Sequence, residues 1–395
     1  MMDEMNAMNF RFLSEPTFET WDWTNPALVG IGGSETSHIE MAQRLAARGH
    51  RVTSYAPVGF EGWRTDPYGV IWMHSKYLDE KTAIVPFQAA LRDRGMEFLL
   101  DVFSRAKEIV PEPNTWIVYR APHLVDDLPE DAVVWLICQD VDYPKQLTER
   151  RAKRFTRIVA LCETHAAYLK ARYPFVADRV FVSSNGIKTE LIAELDAVRP
   201  RRNPKRLMYA SSPDRGMEFL LDVFSRAKEI VPDLELHLYY GFDNIDKLKS
   251  EGIRKNAERL KAMIERPGVV NHGRTPQPKL ISEWFKAGIW CHPSNFTETS
   301  CITSMDAQAC GAIPITRPVW AIGENVKHGV FIEGDVTNDL VRSRYVTEVV
   351  KLALDPDRQE EIRREMTPYA RERFGWAKFV DQWEAWADVR AEVAA

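Results

Sequence analysis

The chain lacks most of what would place it in several large functional classes. Its 395 residues include only five cysteines, Cys138, Cys162, Cys291, Cys301 and Cys310, with no C-x-x-C pair. An odd, scattered set in apolar contexts argues against a disulfide framework and for reduced, buried thiols in a cytosol. No apolar run approaches the ~20 residues of a membrane span. The opening M-M-D-E-M-N-A-M-N-F has neither a basic start nor a long apolar core, so it is not read as a signal peptide. Basic charge is not in excess: 52 Lys and Arg against 57 Asp and Glu leave −5, and no global field for nucleic acid or an anionic membrane results. Two local basic runs, at 150–157 and 199–206, read as solvated helix and linker charge, with peripheral membrane contact as the alternative. His272 and His292 have no paired spacing and read as structural residues rather than metal ligands.

What is present is an ordinary globular composition, 45% hydrophobic and 28% charged, in a chain long enough for two domains. The most informative stretch is 295–314, N-F-T-E-T-S-C-I-T-S-M-D-A-Q-A-C-G-A-I-P. An apolar run containing Trp290 precedes it and reads as a buried strand. Pro293, Ser294 and Asn295 break the strand, a helix begins near Cys301, Ile302 and Thr303, and Gly311 with Pro314 closes it. Backbone N–H groups at such a helix start attract phosphate. Glu298 then lies in the loop and Asp306 one to two turns along the helix, so the two acids can address opposite ends of an extended ligand. Two acids eight apart are otherwise solvated surface groups.

Earlier in the chain, V-G-I-G-G-S-E-T at 29–36 is a glycine-rich turn entering a helix with apolar Ile39, Met41, Ala42, Leu45 and Ala46. Gly30, Gly32 and Gly33 allow close backbone approach by a ligand, and Ser34 can cap the helix. A dinucleotide-binding dehydrogenase would look similar here, although Glu35 stands where a third glycine is expected. Strands are predicted at 10–13, 51–57, 69–74, 115–119, 132–138, 157–161 and 180–183. Gln139 and Asp140 end the 132–138 strand, and acids at strand C-termini face the crevice of a doubly wound sheet; the other reading of Asp140 is a helix cap. The run A-V-R-P-R-R-N-P-K-R at 197–206 reads as an interdomain linker. Beyond it come a strand at 207–210, the turn residues Ser211 and Ser212, Arg215 at a turn-to-helix junction, a strand at 234–240, a turn at Gly241 and Phe242, and H-G-R with Arg274. The planar guanidinium of Arg215 suits a diphosphate; Arg274 is a phosphate or base candidate, or a surface residue.

Together these motifs resemble retaining glycosyltransferases of family 4. The Glu-x7-Glu signature of that family matches Glu298 to Asp306, with H-P-S before and D-A-Q-A-C-G-A-I-P after. S-N-G-I-K at 184–188 resembles the family's Pro-Asn-Gly-Ile-Asp hinge. The resemblance spans nearly the whole chain and implies the α/β GT-B fold: two Rossmann-like doubly wound domains facing across a cleft. The implied divisions are an acceptor-side domain at 1–188, a nucleotide-sugar domain at 189–367, and a C-terminal helix at 368–395 that returns to the first domain, anchored by Trp383 and Trp386. It implies that Glu298 contacts donor-sugar hydroxyls, that Asp306 (one methylene shorter than the usual Glu) holds the ribose, and that Arg215 binds the diphosphate. Ser211 and Ser212 stand where many relatives carry a second Arg. Gly32 and Gly33 face phosphates and acceptor, Gly241 and Arg274 border the nucleotide, and Cys301, Ile302 and Thr303 supply backbone N–H groups. Gln139 replaces the usual His beside Asp140, which is left to touch the acceptor.

The implied reaction is sugar transfer from a nucleoside diphosphate, uridine first and guanosine second, with retained configuration. No cofactor beyond that co-substrate and no metal is expected, D-V-D at 140–142 following an N-domain strand. The acceptor (sugar, lipid or small molecule) and the oligomeric state are unread. The expected location is the cytoplasm, with peripheral contact at the inner membrane face as an option. Alternatives are a nucleotide-sugar 2-epimerase, glycoside hydrolysis by paired carboxylates, and a non-catalytic nucleotide-sugar binder. One oddity stands apart: D-R-G-M-E-F-L-L-D-V-F-S-R-A-K-E-I-V-P occurs at both 93–111 and 214–232. The second copy follows a strand and turn and is the phosphate candidate. In the first, Phe98, Leu99, Val102, Phe103 and Ala106 are expected to form an ordinary packed face, with Arg94 binding no phosphate.

Overall fold

The computed structural model describes residues 7–15, 19–78, 114–198, 201–242 and 251–388. The first copy of the duplicated segment, with Arg94 and its expected packed face, lies outside them. The chain forms two units. Met1–Asn25, Ile31–Ser183 and Ala377–Ala395 make the first, and Pro26–Gly30 with Ser184–Trp376 the second.

The first unit is built on an eight-stranded sheet of β1 (Asn9–Ser14), β2 (Arg51–Ala56), β3 (Trp63–Thr65), β4 (Ile71–His74), β5 (Asn114–Tyr119), β6 (Val133–Ile137), β7 (Arg157–Ala160) and β8 (Val180–Val182). The spatial order is β3-β4-β2-β1-β5-β6-β7-β8, with only β3 antiparallel, against β4. The short edge strand β3 was not legible as a strand: all three of its residues are exposed, so no burial period marks it. Helix Gly33–Ala47 buries Ile39, Met41, Ala42 and Leu45, as its spacing predicts, and also His38, between the hydroxyls of Ser14 and Ser54 at 2.8 and 2.7 Å. Helix Trp376–Asp388 belongs to this unit from Ala377 onward. Its Trp383 Nε1 donates to Ser183 Oγ at 3.0 Å, and Trp386 meets Trp135 edge-on.

The second unit carries a fully parallel six-stranded sheet of β9 (Asn203–Tyr209), β10 (Glu235–Leu238), β11 (Val269–Asn271), β12 (Ala287–His292), β13 (Ile313–Thr316) and β14 (Val330–Phe331), ordered β11-β10-β9-β12-β13-β14. Every residue of β12 is buried, as a strand covered on both faces requires. The second copy of the duplicated segment supplies Asp214 and Arg215 of the turn Pro213–Arg215 and all of helix Met217–Ile230, whose Leu220, Val223, Phe224 and Ala227 enter the core.

Three readings are corrected. The run at 197–206 is not an interdomain linker: the units divide at Ser183 and Ser184, and 203–206 open β9. Nor are all of its charges solvated, although Arg201 is exposed. Arg202 donates to the Cys310 carbonyl at 2.7 Å, and Arg206 is buried on Tyr239 and Glu283. The C-terminal piece starts later than 368, because helix Pro356–Phe374 runs on and a break at Gly375 separates it from Trp376–Asp388. In the other basic run, Arg150 and Arg151 pair with Asp126, and Arg157 stacks over Phe181. Among the described residues no helix is long and apolar enough to cross a membrane. None of the five cysteines is in a disulfide, and all five are buried.

Candidate functional site

In the second sheet β9 has β10 on one side and β12 on the other, so strand order reverses between β9 and β12. Ligands of open parallel sheets bind outside the strand C-termini at such a reversal. Two loops meet there: 210–216 after β9 and 293–301 after β12. Their join depends on Gly216, whose φ is +101°; a Cβ on it would strike the Pro293 carbonyl oxygen. Thr303 Oγ1 donates to the Ala210 carbonyl at 3.2 Å and ties the following helix to the same join.

That join brings Arg215 and Glu298 together, Nη1 to Oε1 at 3.6 Å. The guanidinium carbon lies 3.1 Å from the ring centre of Phe296, a residue the sequence reading passed over. Asp214 approaches Arg215 Nε at 3.4 Å. Burial raises the pKa of Glu298 above the ordinary carboxylate range, and the neighbouring Arg215 charge works against that rise. The Glu298 carbonyl accepts a hydrogen bond from Ala321 N–H at 3.2 Å. Asn295 anchors the loop: its Nδ2 donates to Asp335 at 2.6 Å, and its Oδ1 accepts from Arg317 at 3.0 Å.

Helix Ile302–Cys310 begins and ends where its sequence signals put it, with Cys301 as N-cap and Gly311 as C-cap. Cys301 holds φ +57° and makes no side-chain cap. Asp306 lies one turn in and is only 5% exposed, and the Glu298 side chain is 17% exposed, so neither acid is a solvated surface group. Ser211 and Ser212 fall in the 210–216 loop, where the Ser212 carbonyl accepts from Tyr209 Oη at 2.7 Å. Along the same sheet edge, past β10 and β11, Gly241 (φ +78°) packs against the backbone of Gly273 and Arg274. His272 is not isolated there: its Nε2 lies 2.9 Å from His237 Nδ1, across neighbouring strands, and its ring stacks on Tyr239 at 4.3 Å. No sequence spacing announces that pair. Among the described residues no cluster of three His, Cys, Asp or Glu could hold a metal.

In the first unit the reversal falls between β1 and β5. Gly32, not Ser34, is the N-cap of helix Gly33–Ala47, and the Thr36 hydroxyl donates to its carbonyl at 2.8 Å. A side chain at Gly32 would collide with the Glu35 carboxylate, which lies back toward the helix start. Asp140 caps no helix. It is gripped by Arg120 through Nε at 3.0 Å and Nη2 at 2.8 Å, and Glu35 stands 3.9 Å from the same guanidinium. Burial pulls the Arg120 pKa down, but the hydrogen bonds and charge of Asp140, with Glu35, carry it above its ordinary value. Arg120 holds φ +64°, and nothing in T-W-I-V-Y-R-A-P marked it. Asp142 is engaged elsewhere, by Tyr173 and by Arg172 at 3.5 Å, so the two acids of D-V-D have separate partners.

No family model matches the chain, and no curated protein matches it in sequence. Solved structures do. HepE of Anabaena, in complex with UDP and glucose, superposes with a TM-score of 0.62 at 14% identity, over 97% of this chain and 100% of that one. Sucrose-phosphate synthase of Thermosynechococcus elongatus gives 0.64 at 14%, over 98% and 100%. The catalytic domain of starch synthase IV from Arabidopsis thaliana, bound to ADP and acarbose, gives 0.62 at 12%, over 96% and 98%. The fold is GT-B. In GT-B terms both sheets are Rossmann-like, and the residues singled out in each unit gather at the C-terminal edge of its own sheet.

Proposed function

We propose that this protein is a retaining, metal-independent glycosyltransferase of the family 4 type, using a nucleoside diphosphate sugar with uridine as the first expectation for the base. One observation carries the reading: Arg215 and Glu298 stand 3.6 Å apart at the β9/β12 reversal, on a GT-B fold whose solved neighbours include complexes with UDP and ADP. A cation and a buried carboxylate at that position divide the donor between them. Arg215 and the start of helix Ile302–Cys310 take the diphosphate, and Glu298 takes the sugar hydroxyls. Asp306 holds the ribose, and Gly241 and Arg274 border the base.

The acceptor hydroxyl bonds to the anomeric carbon as the carbon–oxygen bond to the diphosphate breaks. The electron pair of that bond goes to the departing phosphate oxygen, which also takes the acceptor proton on the same face. Preorganised positive charge at Arg215 stabilises the negative charge as it develops, and Glu298 fixes the sugar for attack. In the first unit Gly32 and Gly33 approach phosphates and acceptor, and Asp140, held by Arg120, faces the acceptor. A cytoplasmic setting suits five buried thiols that form no disulfide.

The test is a thermal-shift screen against UDP, GDP and ADP and their glucose or mannose esters, followed by NMR of the product's anomeric proton. Stabilisation by one nucleotide series, and transfer or slow hydrolysis with the donor's anomeric configuration, is expected. Binding of no nucleotide, an epimerised sugar, or activity abolished by chelator and restored by manganese would overturn the reading.

A further inference from the structure

Trp320 adopts φ 51° and ψ −135°. This is close to the mirror image of the β region, natural to glycine and strained for any residue with a Cβ. Cys301, the other strained non-glycine beside Glu298, holds the milder left-handed helical values of 57° and 67°. The strain at Trp320 is placed where it bears on the site. The next residue, Ala321, donates its N–H to the main-chain carbonyl of Glu298 at 3.2 Å, so the Trp320 turn is tied to the backbone of the residue proposed to address the donor sugar.

A glycine would make that turn and that hydrogen bond with no strain. What tryptophan adds is the indole, half-buried and carried by the residue just before the amide that bonds the Glu298 carbonyl. Strained backbone persists where something around it over-determines the conformation, and it gathers at ligand clamps. A flat apolar face with a polar N–H edge is suited to the apolar C–H face of a pyranose, with hydroxyl groups left at the rim. We infer that Trp320 is a sugar-recognising residue of the donor slot: its indole packs against the hexose ring whose hydroxyls Glu298 orients. This rests on the nucleotide-sugar reading above and deepens it. It assigns recognition of the sugar, as distinct from the nucleotide, to one side chain.

The experiment compares binding of a nucleotide and its sugar ester by calorimetry, using UDP with UDP-glucose and GDP with GDP-mannose, on the full chain and on Trp320→Gly, Trp320→Asn and Trp320→Phe. Glycine takes this conformation without strain and asparagine bears no more strain in it than tryptophan does, so at least one is expected to keep the fold. For those two variants the nucleotide alone should bind within about twofold of wild type, while the sugar ester weakens by about tenfold. Phenylalanine should recover part of the loss. The melting temperature of Trp320→Gly should hold or rise as strain is released. A melting temperature that falls in both variants, with an unchanged ratio of ester to nucleotide affinity, makes the indole mere packing and overturns the inference alone. A wild type that binds neither pair overturns the nucleotide-sugar reading, and this inference with it.

Discussion

The guanidinium carbon of Arg215 lies 3.1 Å from the centre of the Phe296 ring. The ring lies against the guanidinium and leaves its edge for Glu298 and, in the function proposed above, for a donor phosphate. Lysine keeps the charge but has neither plane nor fork. Arg215→Ala should lower kcat/KM by about 10²–10³-fold, and Arg215→Lys should recover less than a tenth of that loss. Phe296→Ala should cost about two- to fivefold, the worth of an exposed cation–π contact. Arg94→Ala, in the first copy of the duplicated segment, should leave donor affinity unchanged; losses matching those of Arg215→Ala would sink the assignment of the phosphate site to the second copy.

Glu298 has its pKa raised by burial, with Arg215 opposing. A carboxyl group whose folded pKa exceeds its unfolded value favours folding while it is protonated and loses that advantage as pH rises through the folded value. Glu298→Gln is neutral throughout. At pH 7.5 the variant should therefore melt higher than wild type, and the gap should close below pH about 4, where the unfolded carboxylate also protonates. Activity should fall by roughly 10²-fold at the same time, since the amide cannot orient sugar hydroxyls as an acceptor on both oxygens. A variant that melts lower at pH 7.5 would show that the charge is stabilising where it sits.

Much of this site could be read from the chain because its parts are local. The loop and helix at 295–311 carry their own punctuation: Pro293 ends a strand, Gly311 takes φ +90°, and Glu298 and Asp306 keep fixed places within that unit. What could not be read was tertiary. Phe296 gains its role only when Gly216 lets the β9 loop close on the β12 loop. Arg120 finds Asp140 across two strands, and His272 finds His237 the same way. The linker was misjudged for a related reason: proline and arginine look solvated in sequence, yet Arg202 and Arg206 satisfy carbonyl and carboxylate partners inside the second unit.

Gly216 makes a claim that needs no substrate. Its φ of +101° disfavours any Cβ, and the Pro293 carbonyl occupies the place where one would go. Gly216→Ala should destabilise the protein by about 1–3 kcal/mol, read as a shift in urea midpoint with unchanged slope. Because the same join sets the distance between Arg215 and Glu298, donor binding should weaken even below the melting transition. A variant with wild-type stability and affinity would mean that the two loops are not held together through this residue.

Asp140 and Arg120 offer a test of role. Both are about two-fifths exposed, so the pair should contribute only about 0.5–1 kcal/mol to stability. Arg120→Ala should cost somewhat more stability than Asp140→Ala, since it also removes the guanidinium that Glu35 approaches at 3.9 Å. If Asp140 faces the acceptor, Asp140→Asn should lower the transfer rate with donor affinity unchanged and hydrolysis of the donor preserved. Equal loss of transfer and hydrolysis would move Asp140 from acceptor contact to a support role.

His38 is buried among Trp21, Trp72 and Tyr119, with one hydroxyl on each ring nitrogen, and burial lowers its pKa to about 3. It is neutral in the folded protein, while the unfolded chain takes up a proton below pH about 6.5. Its contribution to stability is therefore complete above that pH and is lost as pH falls from there toward 3, at up to ~1.4 kcal/mol per pH unit. Glutamine can meet both hydroxyls and never titrates. His38→Gln should start less stable than wild type at pH 7.5, through imperfect packing, and the gap should narrow or reverse by pH 5. Urea unfolding of the two proteins from pH 7.5 to 5 reads this directly, because the other histidines contribute equally to both. Parallel stability curves across that range would mean that the imidazole does not stay neutral in this core.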